Sequence, residues 1–371
     1  NYTQAQMISQ ALTPKPSALL SILGSLVILA EIKKSYSKGN RAINHLLIGM
    51  CLSDLAFSTG WFMTTWPSIK DNPHLDLWGA FGNTQTCSAQ AFFISLGFWG
   101  TPLYNTVISL FYLLIIEKGW SENRLLNYVK WVHGIIWGVV LTRSIFYLAF
   151  NIFNPYGVIC YISTDPPGCK GTECIRGNEN TWKVGVFEGL FPIWPCIILN
   201  IAFVARVYCS VNRVVKNSLK YQHNNIALER RRREVGHQAV LYVVCMLFCL
   251  VPDQVFAFIF FTSPGLSYSN FWFETISYIA LPLQGFLNFI VFMRRQKRPQ
   301  SWLGKVVCGI FYFCWRKSDV SLLRASRGAS RIMVRNISRK LRINVPSFVG
   351  DSLKGQAGRD LQALEVETGN A

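Results

Sequence analysis

The sequence predicts an all-α membrane protein: a bundle of seven transmembrane helices, followed by a short amphipathic helix and a disordered tail. Three observations carry this. Apolar runs of about 20 residues recur along the 371-residue chain, the length that spans a hydrocarbon core of about 30 Å. Only 15% of residues are charged, against roughly a quarter in soluble proteins, and mean hydropathy is +0.26. The basic residues behind the net charge of +18 gather in alternate segments between the runs. Such a pattern belongs to loops on one side of a membrane, and it excludes reading the charge as a nucleic-acid surface.

The spans are expected at about residues 12–33, 43–66, 87–117, 127–150, 183–208, 237–262 and 270–293. Pro14, Lys15 and Pro16 interrupt the start of the first. The third is long enough to cross at a strong tilt. Trp61, Trp66, Trp120, Trp182 and Trp272 fall near span ends, where indole suits the interface. Residues 1–11 form an outer N-terminal segment, 12–294 the bundle, 300–315 the amphipathic helix and 316–371 the tail. The chain starts on Asn1 rather than Met, and the expectation is a trimmed or incomplete N-terminus with no secretory signal pattern ahead of the first span.

Orientation follows from the loops. Lys33, Lys34, Lys38 and Arg41 follow span one; Lys118, Arg124 and Lys130 follow span three; Arg213, Lys216, Lys220 and the block Arg230, Arg231, Arg232, Arg233 follow span five. The tail opens with Arg294, Arg295, Lys297 and Arg298. The alternate loops hold only Lys70, Lys170 and Arg176. This predicts a plasma-membrane protein with its N-terminus outside and its C-terminus in the cytoplasm.

Cys87, Cys160, Cys169 and Cys174 are the cysteines on the expected outer side, where the environment is oxidising. Four cysteines allow three pairings. The favoured one joins Cys87 to Cys160, tying the head of span three to the long second outer loop, and Cys169 to Cys174 across the short CKGTEC turn; free thiols are the alternative. Cys51, Cys196, Cys209, Cys245 and Cys249 read as small packing residues. Asn1-Tyr2-Thr3 is an outer glycosylation sequon, whereas Asn336-Ile337-Ser338 falls in the tail.

Several short motifs point to one superfamily. CLSDLAF in span two, with Asp54, Cys249-Leu250-Val251-Pro252 in span six and Asn288-Phe289-Ile290-Val291-Phe292 in span seven stand at the expected places. With N-out topology and a cysteine heading span three, the chain resembles a G-protein-coupled receptor over about residues 12 to 315. Leu250 replaces the tryptophan of C-W-x-P, the seventh-span motif lacks both the proline and the tyrosine of N-P-x-x-Y, and Phe111, Tyr112 and Leu113 stand where D-R-Y is usual. The run Leu281-Pro282-Leu283-Gln284-Gly285-Phe286-Leu287-Asn288, together with Tyr112-Leu113-Leu114 and Glu117-Lys118-Gly119-Trp120-Ser121-Glu122, is more similar to the cyclic-AMP-receptor-like and secretin-like receptors of protists. The resemblance implies a divergent protist or algal receptor that carries an extracellular ligand signal to a heterotrimeric G protein. Phe271 to Met293 contains no lysine, so no retinal Schiff base can form and no retinal cofactor is expected.

Ionisable residues inside spans are costly and read first as functional. Asp54, Arg143, Glu188, Asp253 and Glu274 are of this kind. Arg143 and Asp253 lie in the outer half of their spans, Glu188 and Glu274 near outer ends. In the receptor fold the outer halves of spans three to seven enclose the ligand. The candidate ligand-binding set is therefore Arg143, Glu188, Asp253 and Glu274, with Tyr104 and Asn105 from span three, and its acidic excess favours a cationic or zwitterionic ligand. The blander reading is that the glutamates touch interfacial water and Arg143 is a packed ion-pair partner. By the same resemblance Asp54 faces Thr101, Gln284 and Asn288. Oxygen-rich surroundings of that kind suit a hard cation such as sodium; the alternative is a protonated Asp54 bonded to Asn288 with no ion.

LPLQGFLNFIV, from Leu281 to Val291, places a proline, a glutamine, a glycine and an asparagine within three turns of span seven. Pro282 is expected to bend the helix, with Gln284 and Asn288 on one inward face and Gly285 admitting a close neighbour. Pro252 should act as a pivot in span six, and Pro192 and Pro195 should bend span five. Signalling is then expected as a swing of span six that opens a cytoplasmic cleft beside Lys118 and Arg230 to Arg233.

After span seven, Trp302, Leu303, Val306, Val307, Ile310 and Phe311 recur at helical steps, as in a helix lying on the bilayer. Cys308 and Cys314 beside it are candidate palmitoylation sites. No nucleophile–base set or metal cluster marks an enzyme. A transporter, a channel or a scaffold without G-protein coupling is the competing class.

Overall fold

The computed structural model describes residues 3–35, 41–72, 77–221, 226–262 and 271–295, with residues 35, 212, 214–221, 226–233, 260–262 and 295 described as backbone only. The amphipathic helix, the tail, Asn1, Cys308 and Cys314 lie outside the described residues. Among the described residues seven helical segments are long and apolar enough to cross a membrane: Gln4–Lys34, Ala42–Met63, Thr84–Glu117, Glu122–Ala149, Thr181–Val211, Glu234–Ile259 and Phe271–Arg294. These are the features of a multi-pass membrane protein, and each overlaps a span expected from the sequence.

The first span is two helices in series, α1 (Gln4–Leu12) and α2 (Pro14–Ser35). The segment expected as an outer leader is thus helical. Thr3 starts it with a capping box: its hydroxyl accepts from the Gln6 amide at 3.3 Å, and Gln6 Oε1 accepts from the Thr3 amide at 2.9 Å. Span two is α3 (Ala42–Met63), which ends short of Trp66. Span three is α4 (Thr84–Glu117), 34 residues and so roughly 50 Å long. Asn83 caps it by accepting from the Gln85 and Thr86 amides. Span four is α5 (Glu122–Ala149), capped by Ser121.

Prolines govern the last three spans in different ways. Span five is α6 (Thr181–Leu190) followed by α7 (Ile193–Tyr221), with the helix interrupted at Phe191 and Pro192. Pro195 sits within the first turn of α7, where its missing amide costs little. In span six, α8 (Ile226–Thr262) runs through Pro252 without a break. Span seven is α9 (Phe271–Ala280) and α10 (Gln284–Arg295), joined by a 3₁₀ turn over Leu281–Leu283 that contains Pro282. Pro102, inside α4, is a further interior proline.

The loop after α5 is not purely irregular, which qualifies the all-α expectation. Strands β1 (Phe153–Tyr156) and β2 (Ile159–Ile162) pair antiparallel, with Phe153 opposite Ile162 and Tyr156 opposite Ile159. The two-residue turn between them starts on Gly157 at φ +55°, a backbone state that only glycine adopts freely. Disulfides Cys87–Cys160 and Cys169–Cys174 are both formed, the first fastening β2 to the head of α4. Gln90, buried one turn below Cys87, completes this clasp. Its amide donates to the Gly60 and Thr64 carbonyls at 2.9 and 2.7 Å, and its oxygen accepts from the Cys160 amide at 3.0 Å. The core beneath it is Phe57, Trp61, Ile94, Phe98, Ile159, Ile197, Met246, Leu250, Tyr278 and Leu281, contributed by spans two, three, five, six, seven and β2.

Candidate functional site

Two buried polar clusters stand out. The lower one centres on Asp54 of α3, which is 3% exposed. Thr101 of α4 donates to one carboxylate oxygen at 2.7 Å, and the Asn288 amide of α10 donates to the other at 3.0 Å. Close backbone approach makes this geometry available. A Cβ on Gly97 would lie 2.3 Å from Phe57 Cβ and 2.5 Å from the Ser53 carbonyl oxygen, so only glycine lets α3 and α4 meet here. On the other side a Cβ on Gly285 would lie 2.3 Å from Ser21 Oγ of α2.

A cavity of about 10 Å³, room for a single water molecule or small ion, lies beside Asp54. Ser21, Ser58, Thr101, Pro282 and Gln284 line it. Asn288 Oδ1 and Gln284 Nε2 are buried with no hydrogen-bond partner. A carboxylate and three hydroxyls, those of Ser21, Ser58 and Thr101, fit a hard cation such as sodium; the unpartnered Gln284 amide fits a water. Thus Thr101, Gln284 and Asn288 do surround Asp54, but Gln284 borders the cavity without bonding the carboxylate. Leu281 is buried at 3% exposure and packs in the core.

The upper cluster lies nearer the disulfides. Arg143 of α5 pairs with Glu188 of α6, their side chains 8% and 0% exposed. The guanidinium also donates to the Ser95 carbonyl and, at 2.9 Å, to Ser95 Oγ, and it lies 4.2 Å from the centre of the Trp99 ring. Tyr147 donates its hydroxyl to the other oxygen of Glu188. Tyr161 of β2 stands over this group. Burial, then the Glu188 carboxylate, hold its phenol well above the ordinary range, and its hydroxyl has no partner.

Asp253 of α8 and Glu274 of α9 belong to the same end. Glu274 does not sit in interfacial water: it is 8% exposed, and Gln10 and Tyr278 donate to its two oxygens at 2.8 and 2.7 Å. Asp253 is partly exposed, accepts from the adjacent Gln254 amide at 3.2 Å, and interacts electrostatically with both Tyr161 and Tyr278.

Tyr104 and Asn105 are not part of this group. Tyr104 is fully buried against Gly49, with its hydroxyl 2.7 Å from His133 Nδ1 of α5. Asn105 is fully buried, and neither end of its amide has a partner. At the far end of α4, Glu117 pairs with Arg206 of α7 at 3.0 Å, and Lys118 is exposed. Arg230 to Arg233 fall on α8, with side chains outside the described residues.

Three buried groups are not among the candidates drawn from the sequence. Asn200 ties α7 to α4, accepting from Ser109 and donating to Thr106 Oγ1, both at 2.7 Å. Gln90 clasps the hairpin, as described above, and Glu31 is fully buried in α2. An acid in a span was the usable cue for Glu31; amides that serve packing look like any others. No protein-family model matches this chain, and the curated proteins compared with it yield no match.

Proposed function

We propose that this chain is a divergent seven-span receptor of the G-protein-coupled type, resident in the plasma membrane with its disulfide-bearing end outward. A ligand binds at that end, and the opposite end acts on a heterotrimeric G protein. The observation that carries the reading is the Asp54 cluster. One carboxylate from span two is bonded to spans three and seven beside a small cavity and a 3₁₀ break at Pro282. Such a node links three helices through bonds that can be exchanged, which a two-state switch requires.

Activation is a population shift. Ligand at the outer end favours a state in which α8 swings about Pro252, and the contacts among spans three, five and six at the inner end loosen. Those contacts are Leu113, Ile116 and Val207, with Phe203, Val211 and Val235 packed on them. The Glu117–Arg206 pair crosses the same seam, at the end of the helix where D-R-Y is missing. Being exposed, it holds the seam by no more than about 1 kcal/mol. Pro252→Ala is expected to impair signalling more than ligand binding, and the opposite pattern refutes the pivot.

A transporter is the second reading, because spans one, five and seven are interrupted, at Thr13, at residues 191–192 and at residues 281–283. Inverted repeats place paired breaks in corresponding positions of the two halves, whereas here one falls in the first half of the chain and two in the second. The test is expression of the full chain in cells carrying different G proteins, screened with amines, cyclic nucleotides and peptides. A ligand-dependent G-protein response supports the reading; solute flux with no such response overturns it.

A further inference from the structure

The charged groups at the disulfide-bearing end are unequally committed. Arg143 is bound to Glu188 and Ser95 and lies on Trp99. Lys15 is bound to the Phe62 carbonyl at 3.0 Å and lies 3.5 Å from the centre of the Trp66 ring. Neither cation is free to hold an anion. Asp253 of α8 is in no ion pair among the described residues. Among the described residues the ion pairs are Arg143–Glu188 and Arg206–Glu117, and the sequence 263–270 contains no lysine or arginine.

Asp253 also points inward. Met246, Leu250 and Asp253 are spaced four and three residues apart, so they share a face, and Met246 and Leu250 are core residues. On that face Asp253 lies near Tyr161 and Tyr278, with which it interacts electrostatically. The surroundings are aromatic: Tyr161 packs edge-on to Phe98 at 5.9 Å, and Tyr278 lies 5.3 Å from Trp61. The Tyr161 hydroxyl and the Trp61 indole nitrogen are both buried and unpartnered.

We infer that the disulfide-bearing end binds an organic amine, its ammonium paired with Asp253 and packed against the rings of Tyr161 and Tyr278. A carboxylate supplies a charge-assisted hydrogen bond and the ring faces attract the same cation. An anionic ligand would meet the Asp253 carboxylate, with Arg143 and Lys15 engaged elsewhere. The inference rests on the receptor reading for its role in signalling, though binding itself can be measured alone.

The test uses the full chain in lipid nanodiscs and three probes of similar shape: phenethylamine, phenethyl alcohol and phenylacetate. Calorimetry is expected to detect the amine and not the alcohol or the acid. Asp253→Asn should weaken amine binding at least about tenfold, the loss of one charged hydrogen bond, while Asp253→Glu retains it. Arg143→Gln, which leaves Asp253 in place, should not convert the preference to the acid. Heat resistance of each variant, followed in parallel, separates loss of binding from loss of fold. Amine binding no tighter than the alcohol, or undiminished in Asp253→Asn, overturns the inference. Asp253-dependent amine binding without any G-protein response leaves the inference standing and removes the receptor reading. A G-protein response to anions or peptides alone does the reverse.

Discussion

Removing Glu188 should cost more than removing Arg143, although the two form one ion pair. Glu188→Leu leaves a guanidinium that cannot lose its proton, buried in its span and held by Ser95 and the Trp99 and Tyr147 rings. Breaking a buried pair in this way costs about 3–5 kcal/mol. Arg143→Leu leaves a carboxyl that can take up a proton and keep Tyr147 as a partner, so the cost falls to that of a missing hydrogen bond, about 1–3 kcal/mol. The double variant Arg143→Leu/Glu188→Leu buries no charge and should be no less stable than Arg143→Leu. The coupling in this cycle is therefore expected to reach the cost of Glu188→Leu alone, about 3 kcal/mol or more. Cys196 and Cys249 are free and buried, so a thiol-reactive dye reports melting of the bundle in detergent without labelling. Additive losses, or a greater loss for Arg143→Leu, would refute the assignment of this pair as a buried, mutually dependent unit.

Other perturbations follow from the same geometry. Loss of Cys87–Cys160, which closes a 73-residue separation, should cost about 4 kcal/mol; loss of Cys169–Cys174, with a separation of 5, about 2 kcal/mol. Melting of the two double-serine variants checks the order. Gly97→Ala should destabilise by about 1–3 kcal/mol through overpacking against Phe57, whereas Gly134→Ala, with nothing within 4 Å of the new methyl, should be neutral or slightly stabilising in the same melts. Replacing choline by sodium at constant ionic strength should raise the melting temperature of the natural chain and leave Asp54→Asn unmoved; equal shifts in both count against a cation beside Asp54.

The helical spans were legible because hydrocarbon imposes a length and an apolar composition that no other fold needs. The proline at 282 and the polar face of Gln284 and Asn288 were legible for the related reason that such residues are out of place against lipid. Contacts between distant segments were less so. Asp54 could be placed beside Thr101 and Asn288 through resemblance, but nothing local showed that Gly97 permits the approach. Tyr104 has the character of a ligand-pocket residue and turns instead to His133, because one step of about 100° around α4 separates a pocket face from a packing face. Glu274 sits near a span end, yet α1 continues the first span far enough for Gln10 to cover it. The hairpin at 153–162 was missed because Asn-Pro-Tyr-Gly reads as loop, and its pairing is fixed by Gln90 and Cys87 from elsewhere in the chain.

The most direct measurement of the receptor reading is nucleotide exchange on purified heterotrimeric G proteins by the full chain in nanodiscs, with a panel of Gα classes and of amines. The account predicts faster exchange on at least one class, increased by a ligand that needs Asp253, and reduced in Pro252→Ala while ligand binding persists. No exchange on any class, with solute or ion flux through the same chain in liposomes, would contradict it.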